Sequence, residues 1–169
     1  HIHYVLFGGA LFTIFGGIYY WFPKMTGHMY DQRLGKIHFW ATFIFFNATF
    51  GPMHVIGIQG MPRRVADYAQ QFAGWNMAIS VASFLLGLSM LIFLYNMVNS
   101  WRNGPKAEGN PYKALTLEWL VSSPPPVFNF DEIPTVVGGP YEYGVPGAVH
   151  AILNEPKPTP VAVAAGVTE

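Results

Sequence analysis

The sequence predicts an all-α membrane protein with three transmembrane helices followed by an extended C-terminal tail. Two observations carry this. Hydrophobic residues make up 51% of the 169 positions, while Asp, Glu, Lys and Arg together make up 11%, against about 25% charged residues in a typical soluble domain. The deficit is also concentrated: no charged residue occurs from Tyr4 to Phe22, from Ile37 to Pro62, or from Tyr68 to Trp101. Each run reaches or approaches the roughly 20 residues a helix needs to cross the hydrocarbon core. A lipid-exposed segment must satisfy its own backbone polar groups, and that requirement selects helix.

The first span is expected over His1 to Phe22. It is rich in small residues, Gly8, Gly9, Gly16 and Gly17, which let a neighbouring helix or a flat cofactor approach the backbone. It ends in the aromatic belt Tyr19, Tyr20, Trp21 and Phe22, with Pro23 as the expected stop. A polar loop, Lys24 to Lys36, leads to the second span, Ile37 to Gln59, where Gly51-Pro52 predicts a packing kink. The turn Gly60 to Phe72 carries Arg63, Arg64 and Asp67, and the third span runs from Ala73 to Val98, closed by Trp101 and Arg102.

These spans make residues 1–102 a transmembrane region and residues 103–169 a tail. The tail holds eleven of the 14 prolines, including Pro124-Pro125-Pro126. It shows no amphipathic helix of useful length. Trp119, Phe128 and Phe130 suit it to dock as extended chain, and the segment after about residue 140 is expected to be partly disordered, above all the Pro/Ala/Val-rich end from Pro156.

Lys24, Arg33, Lys36, Arg102, Lys106 and Lys113 fall on one side of the membrane and only Arg63 and Arg64 on the other. The positive-inside rule then places the tail in the cytoplasm and His1 near the outer face. Net charge is zero, so no nucleic-acid partner is expected. The absence of Cys excludes a disulfide framework and a thiolate metal site. No basic leader is present, so no cleavable signal peptide is expected.

The sharpest motif is His1-Ile2-His3 at the head of an apolar span. Two residues advance a helix by about 200°, so the two rings point to nearly opposite faces. They are badly placed to chelate one ion, which helices do at i, i+4, and well placed to serve two metal centres, one per face. Imidazole is a usual axial ligand of heme iron. The alternative is a pair of ordinary interfacial histidines. The adjacent guanidinium groups of Arg63 and Arg64 call for an anionic partner, Asp67 or a cofactor carboxylate, unless the turn is simply solvated. His38 and His54 fit structural roles, and Asn47, Asn76 and Asn96 are candidates for interhelical hydrogen bonds. No nucleophile–base pair, phosphate loop or paired intramembrane carboxylate is recognisable, so any enzymatic role rests on cofactors and other chains.

The order of motifs is informative. His1-Ile2-His3-Tyr4-Val5-Leu6 resembles the His-Phe-His-Tyr-Val-Leu signature of subunit I of heme–copper terminal oxidases (the cytochrome c oxidase type). Trp21-Phe22-Pro23, Lys36-Ile37-His38-Phe39, Gly60-Met61-Pro62-Arg63-Arg64, Asp67-Tyr68, Trp75-Asn76, Leu117-Glu118-Trp119-Leu120 and Pro124-Pro125-Pro126 follow in the same order, covering residues 1 to about 135. The resemblance is to the last three of that family's twelve transmembrane helices. It implies that His1 is the axial ligand of the high-spin, oxygen-binding heme and His3 an axial ligand of the low-spin heme, both of the heme A type. It implies that Arg63 and Arg64 pair with heme propionates, and that copper is held by ligands outside this chain. The implied activity is reduction of oxygen to water coupled to proton pumping, and the long Ala/Val/Pro tail favours a bacterial plasma membrane over a mitochondrial one. The implied partners are the upstream part of subunit I, subunits II and III, and cytochrome c or a similar donor. The family phenylalanine between the two histidines is Ile2 here. Two other readings stand beside this one: a quinol-oxidising member of the same superfamily, and an accessory membrane subunit that binds no heme.

Overall fold

The computed structural model describes residues 1–153. Three helices are long and apolar enough to cross a membrane. We call them α1 (Tyr4–Thr26), α2 (Gln32–Ile58) and α3 (Ala73–Asn103), the last preceded by a 3₁₀ turn, Gln70–Phe72. Contacts between α1 and α2 descend in order, from His3 on Phe50 through Phe12 on Phe39 to Tyr19 on His38. The two helices are therefore antiparallel. Residues Ile56 with Ile79, Thr42 with Ser89, and Asp31 with Asn96 make α2 and α3 antiparallel as well.

Both ends of the first loop lie elsewhere than the sequence predicts. Pro23 does not stop α1, which continues to Thr26 and ends at Gly27 in the left-handed conformation (φ 73°). A proline inside a helix deprives the carbonyl four residues earlier of its donor. Here that carbonyl is Tyr19, and it accepts a hydrogen bond from the Tyr112 hydroxyl at 3.2 Å. The tail thus supplies the missing donor. At the other end of the loop, α2 begins at Gln32, five residues before the predicted start. The Asp31 carboxylate accepts from the backbone N–H of Arg33 and Leu34 at 2.7 and 3.1 Å, an N-cap that satisfies otherwise orphaned donors. Pro52 lies within α2. His54 Nδ1 bonds the Phe50 carbonyl, not the Ala48 carbonyl that Pro52 leaves without a donor. The third helix continues to Asn103, five residues beyond the predicted Val98.

The two helix pairs are joined differently. Small polar residues bring α2 and α3 together: Thr42 and Ser89 hydroxyls meet at 2.9 Å in a buried position. Asn96 on α3 accepts from the Asp31 N–H and donates to the Asp31 carbonyl. Rings instead fill the seam between α1 and α2: Phe7 stacks on Phe46, Phe12 meets Phe46 and Phe39 edge-on, and Phe15 meets His38 at 90°.

From Gly104 the chain turns back under α1. Met29 and Ala107 N–H groups bond Pro105 and Gly27 carbonyls. Trp119, in a 3₁₀ turn (Leu117–Trp119), is 2% exposed, and its indole N–H donates to the Tyr20 hydroxyl at 2.8 Å. Tyr20 also stacks on Tyr112. Of the three aromatics expected to dock, Trp119 does so, whereas Phe128 is 86% exposed. A two-residue antiparallel ladder, β1 (Thr135–Val136) with β2 (Ala151–Ile152), follows. The Pro/Ala/Val-rich end lies outside the described residues.

Candidate functional site

The motif residues gather at one end of the helices by topology. His1 and His3 open α1, and the turn between α2 and α3 carries Arg63 and Arg64 at that same end. His3 immediately precedes a widened π-helical stretch, Tyr4–Leu11, so the geometry beyond His3 departs from the regular 100° per residue. The widening coincides with Gly8, Gly9 and Ala10. No feature of the residue pattern announces it.

The two histidines have unlike surroundings. His3 faces α2, with its ring stacked on Phe50 at 4.6 Å and 10°. Both histidines are exposed, and the His1 carbonyl accepts the N–H groups of Tyr4 and Val5. Among the described residues, neither ring takes part in a hydrogen bond, which leaves imidazole lone pairs available. Ile2, Val5 and Leu6, their neighbours in sequence, are each more than half exposed.

Aromatic residues that the sequence reading gave no site role, together with Asn47, which it did single out, hold this end of α1 in place. The Tyr4 hydroxyl donates to Asn47 Oδ1 at 3.0 Å, and the Tyr4 ring meets Phe46 and His54 edge-on. Phe7 stacks on Phe46, which extends the same aromatic block. Of the three asparagines expected to bridge helices, Asn47 and Asn96 do. Asn76 bonds chiefly within its own helix, to the Phe72 carbonyl, and reaches Met61 Sδ at 3.5 Å. His38 is buried. Its Nδ1 meets the Tyr19 hydroxyl at 3.1 Å, while its buried Nε2 has no hydrogen-bond partner among the described residues. It lines a half-open cavity of about 520 Å³ on the α1–α2 seam.

Arg63 and Arg64 are exposed, and Arg64 has a positive φ of 58°. Asp67 does not neutralise them: its carboxylate accepts the Tyr68 N–H at 2.9 Å, and no ion pair joins it to either arginine. Two like charges on adjacent residues are thus displayed without an internal counter-charge among the described residues.

The donor set fits a macrocycle-held metal better than a bare ion. No group of three or more His, Asp or Glu residues that could hold a metal occurs among the described residues. Single imidazoles with free nitrogens suit axial ligation, where a porphyrin supplies the other four donors. A guanidinium pair nearby suits carboxylates.

Fold and helix composition together define a three-helix segment of an integral membrane protein. Residues 1–85 match the family described as cytochrome c and quinol oxidase polypeptide I, and the chain belongs to that family. It is 51% identical over 145 residues to cytochrome c oxidase subunit 1 of Thermostichus vulcanus and 48% to that of Synechocystis sp.. Each alignment covers 86% of this chain and 26% of the relative. The subunit 1 of Corynebacterium glutamicum is 48% identical over 80% of this chain and 24% of its own length. The chain therefore spans about a quarter of the relatives it matches.

Proposed function

We propose that this chain forms the C-terminal part of the catalytic subunit of a proton-pumping terminal oxidase that reduces oxygen to water. It contributes axial histidines to two heme A groups. The observation that carries this reading is the pair His1 and His3, with rings free of hydrogen bonds and with His3 stacked on Phe50, at the head of a chain that matches the family from its first residue. His1 serves the high-spin heme and His3 the low-spin heme. Bound there, the hemes supply electron transfer and oxygen binding. The chain's own contribution is mechanical and electrostatic. Tyr4, Asn47 and Phe50 fix the rotation of α1, and Arg63 and Arg64 offer the positive charge that heme propionates require.

The copper ligands lie in the upstream part of the subunit, which is a partner together with subunits II and III. The three relatives are all named cytochrome c oxidase subunit 1, which supports cytochrome c over quinol as the electron donor. The complex resides in a bacterial plasma membrane, with the tail cytoplasmic and His1 near the outer face. The test is His3→Ala in the assembled complex, read by reduced-minus-oxidised spectra. Loss of the low-spin heme band with the high-spin band retained is expected. A normal low-spin spectrum in that variant refutes the assignment, and an intact complex with no heme at all supports the accessory-subunit reading.

A further inference from the structure

Lys24 lies in the last turn of α1 yet is only 7% exposed. Burying an ammonium costs several kcal/mol unless its donors are matched. The side chain has three N–H donors, and three carbonyl oxygens meet them: Val121 at 2.7 Å, Gly109 at 3.1 Å and Ser122 at 3.3 Å. The face of Trp119 lies 4.9 Å away, within cation–π range. All four groups belong to the tail. They come from two separate stretches, around 109 and 119–122, so one charge ties two parts of the tail to the end of one helix. The cage is fixed from outside as well. The Trp119 indole N–H is held by Tyr20, and the Asn110 side chain bonds both N–H and carbonyl of Ala114, shaping the loop between the two stretches. Three carbonyl dipoles converging on one buried point repel each other unless a cation sits there.

We propose that this arrangement is a latch: the tail segment 107–123 forms a carbonyl–aromatic cation cage, Lys24 is its resident cation, and the segment keeps its docked form only while positive charge occupies that point. The latch does not depend on the heme assignments above. It requires charge, not merely a side chain of the right length. A cavity of about 210 Å³, lined by Lys24, Glu118, Val121, Pro125, Asn129 and Phe130, opens beside the cage. The Glu118 carboxylate on its wall favours entry of a small cation from solution.

The experiment is hydrogen exchange read by mass spectrometry on the full subunit in its purified complex. Lys24→Met keeps length and loses charge. Lys24→Ala removes three carbons and the ammonium, the shape of n-propylammonium. Amides within 107–123 should exchange roughly tenfold faster or more in both variants, the scale of one lost charge-assisted hydrogen bond, with α3 unchanged. Propylammonium should restore protection to the alanine variant, and 1-propanol should not. A methionine variant as protected as the parent overturns the latch, because packing alone then holds the tail. Equal rescue by propanol overturns it too. If the uncharged variants fail to assemble, Lys24→Arg decides: a protected tail supports the role of charge, and failure like that of methionine refutes it.

Discussion

The Tyr112 hydroxyl donates to the Tyr19 carbonyl, 93 residues away in sequence, across the gap that Pro23 opens in the hydrogen-bond ladder of α1. A tail residue thereby completes a membrane helix. Burial, together with the neighbouring Tyr30 and Tyr20 phenols, pushes the Tyr112 phenol well above its ordinary range, so it remains a donor at any working pH.

Tyr112→Phe should cost about 1 kcal/mol of tail docking, the usual net value of a neutral hydrogen bond. The pH dependence has a definite sign. The unfolded phenol titrates near 10 and the docked one higher, so the docked form holds more protons above that point and loses stability as pH rises. Docking, followed by tail proteolysis, should be flat from pH 6 to 9 and weaken above about 10. That alkaline limb should be smaller in the phenylalanine variant.

Phe50→Leu should preserve most of the buried volume while removing the stack on His3. The expected result, on the heme reading, is a broadened and shifted low-spin heme band with little change in complex yield. A spectrum identical to the parent would show that Tyr4 and Asn47 suffice to orient the ring.

On the heme reading, Arg64→Ala should shift the midpoint potential of a heme, because it removes a displayed positive charge from the His1 end of the bundle. Arg64→Gly should shift it equally while relieving the left-handed backbone. A redox titration that leaves both variants at the parent value would exclude a propionate contact.

Gly27→Ala should undock the tail without unfolding the spans. The position has φ 73°, and a Cβ there would sit 2.8 Å from Pro124 Cδ. The backbone term alone is about 1–2 kcal/mol. Faster hydrogen exchange over 105–124, with α2 and α3 unchanged, is the expected readout.

The three spans were legible because charge-free runs of membrane length have a single physical explanation. Their ends were not, for reasons that lie outside any local window. Pro23 reads as a stop until Tyr112 is known to replace the lost donor, and Asp31 reads as loop until its carboxylate is seen to cap α2. At the candidate site, the histidine and arginine pairs stood out by chemistry. Phe50 did not, because α2 offers Phe39, Phe43, Phe45, Phe46 and Phe50, and only the register against α1 singles out the one beneath His3. Lys24 was counted as a loop charge because its acceptors are backbone carbonyls, which leave no trace in side-chain pattern.

The unequal seams also bear on how such a subunit is put together. The α2–α3 pair carries its own hydroxyl and amide clasps, so it can close as a hairpin as soon as both helices enter the bilayer. By contrast, α1 rests on α2 mainly through packed rings, with hydrogen bonds from Tyr4 to Asn47 and between Tyr19 and His38, and its far end is fastened only after the chain beyond α3 has been made. Assembly then has a built-in order, in which the Pro23 end of α1 is secured last, by chain that is made after both of the other helices.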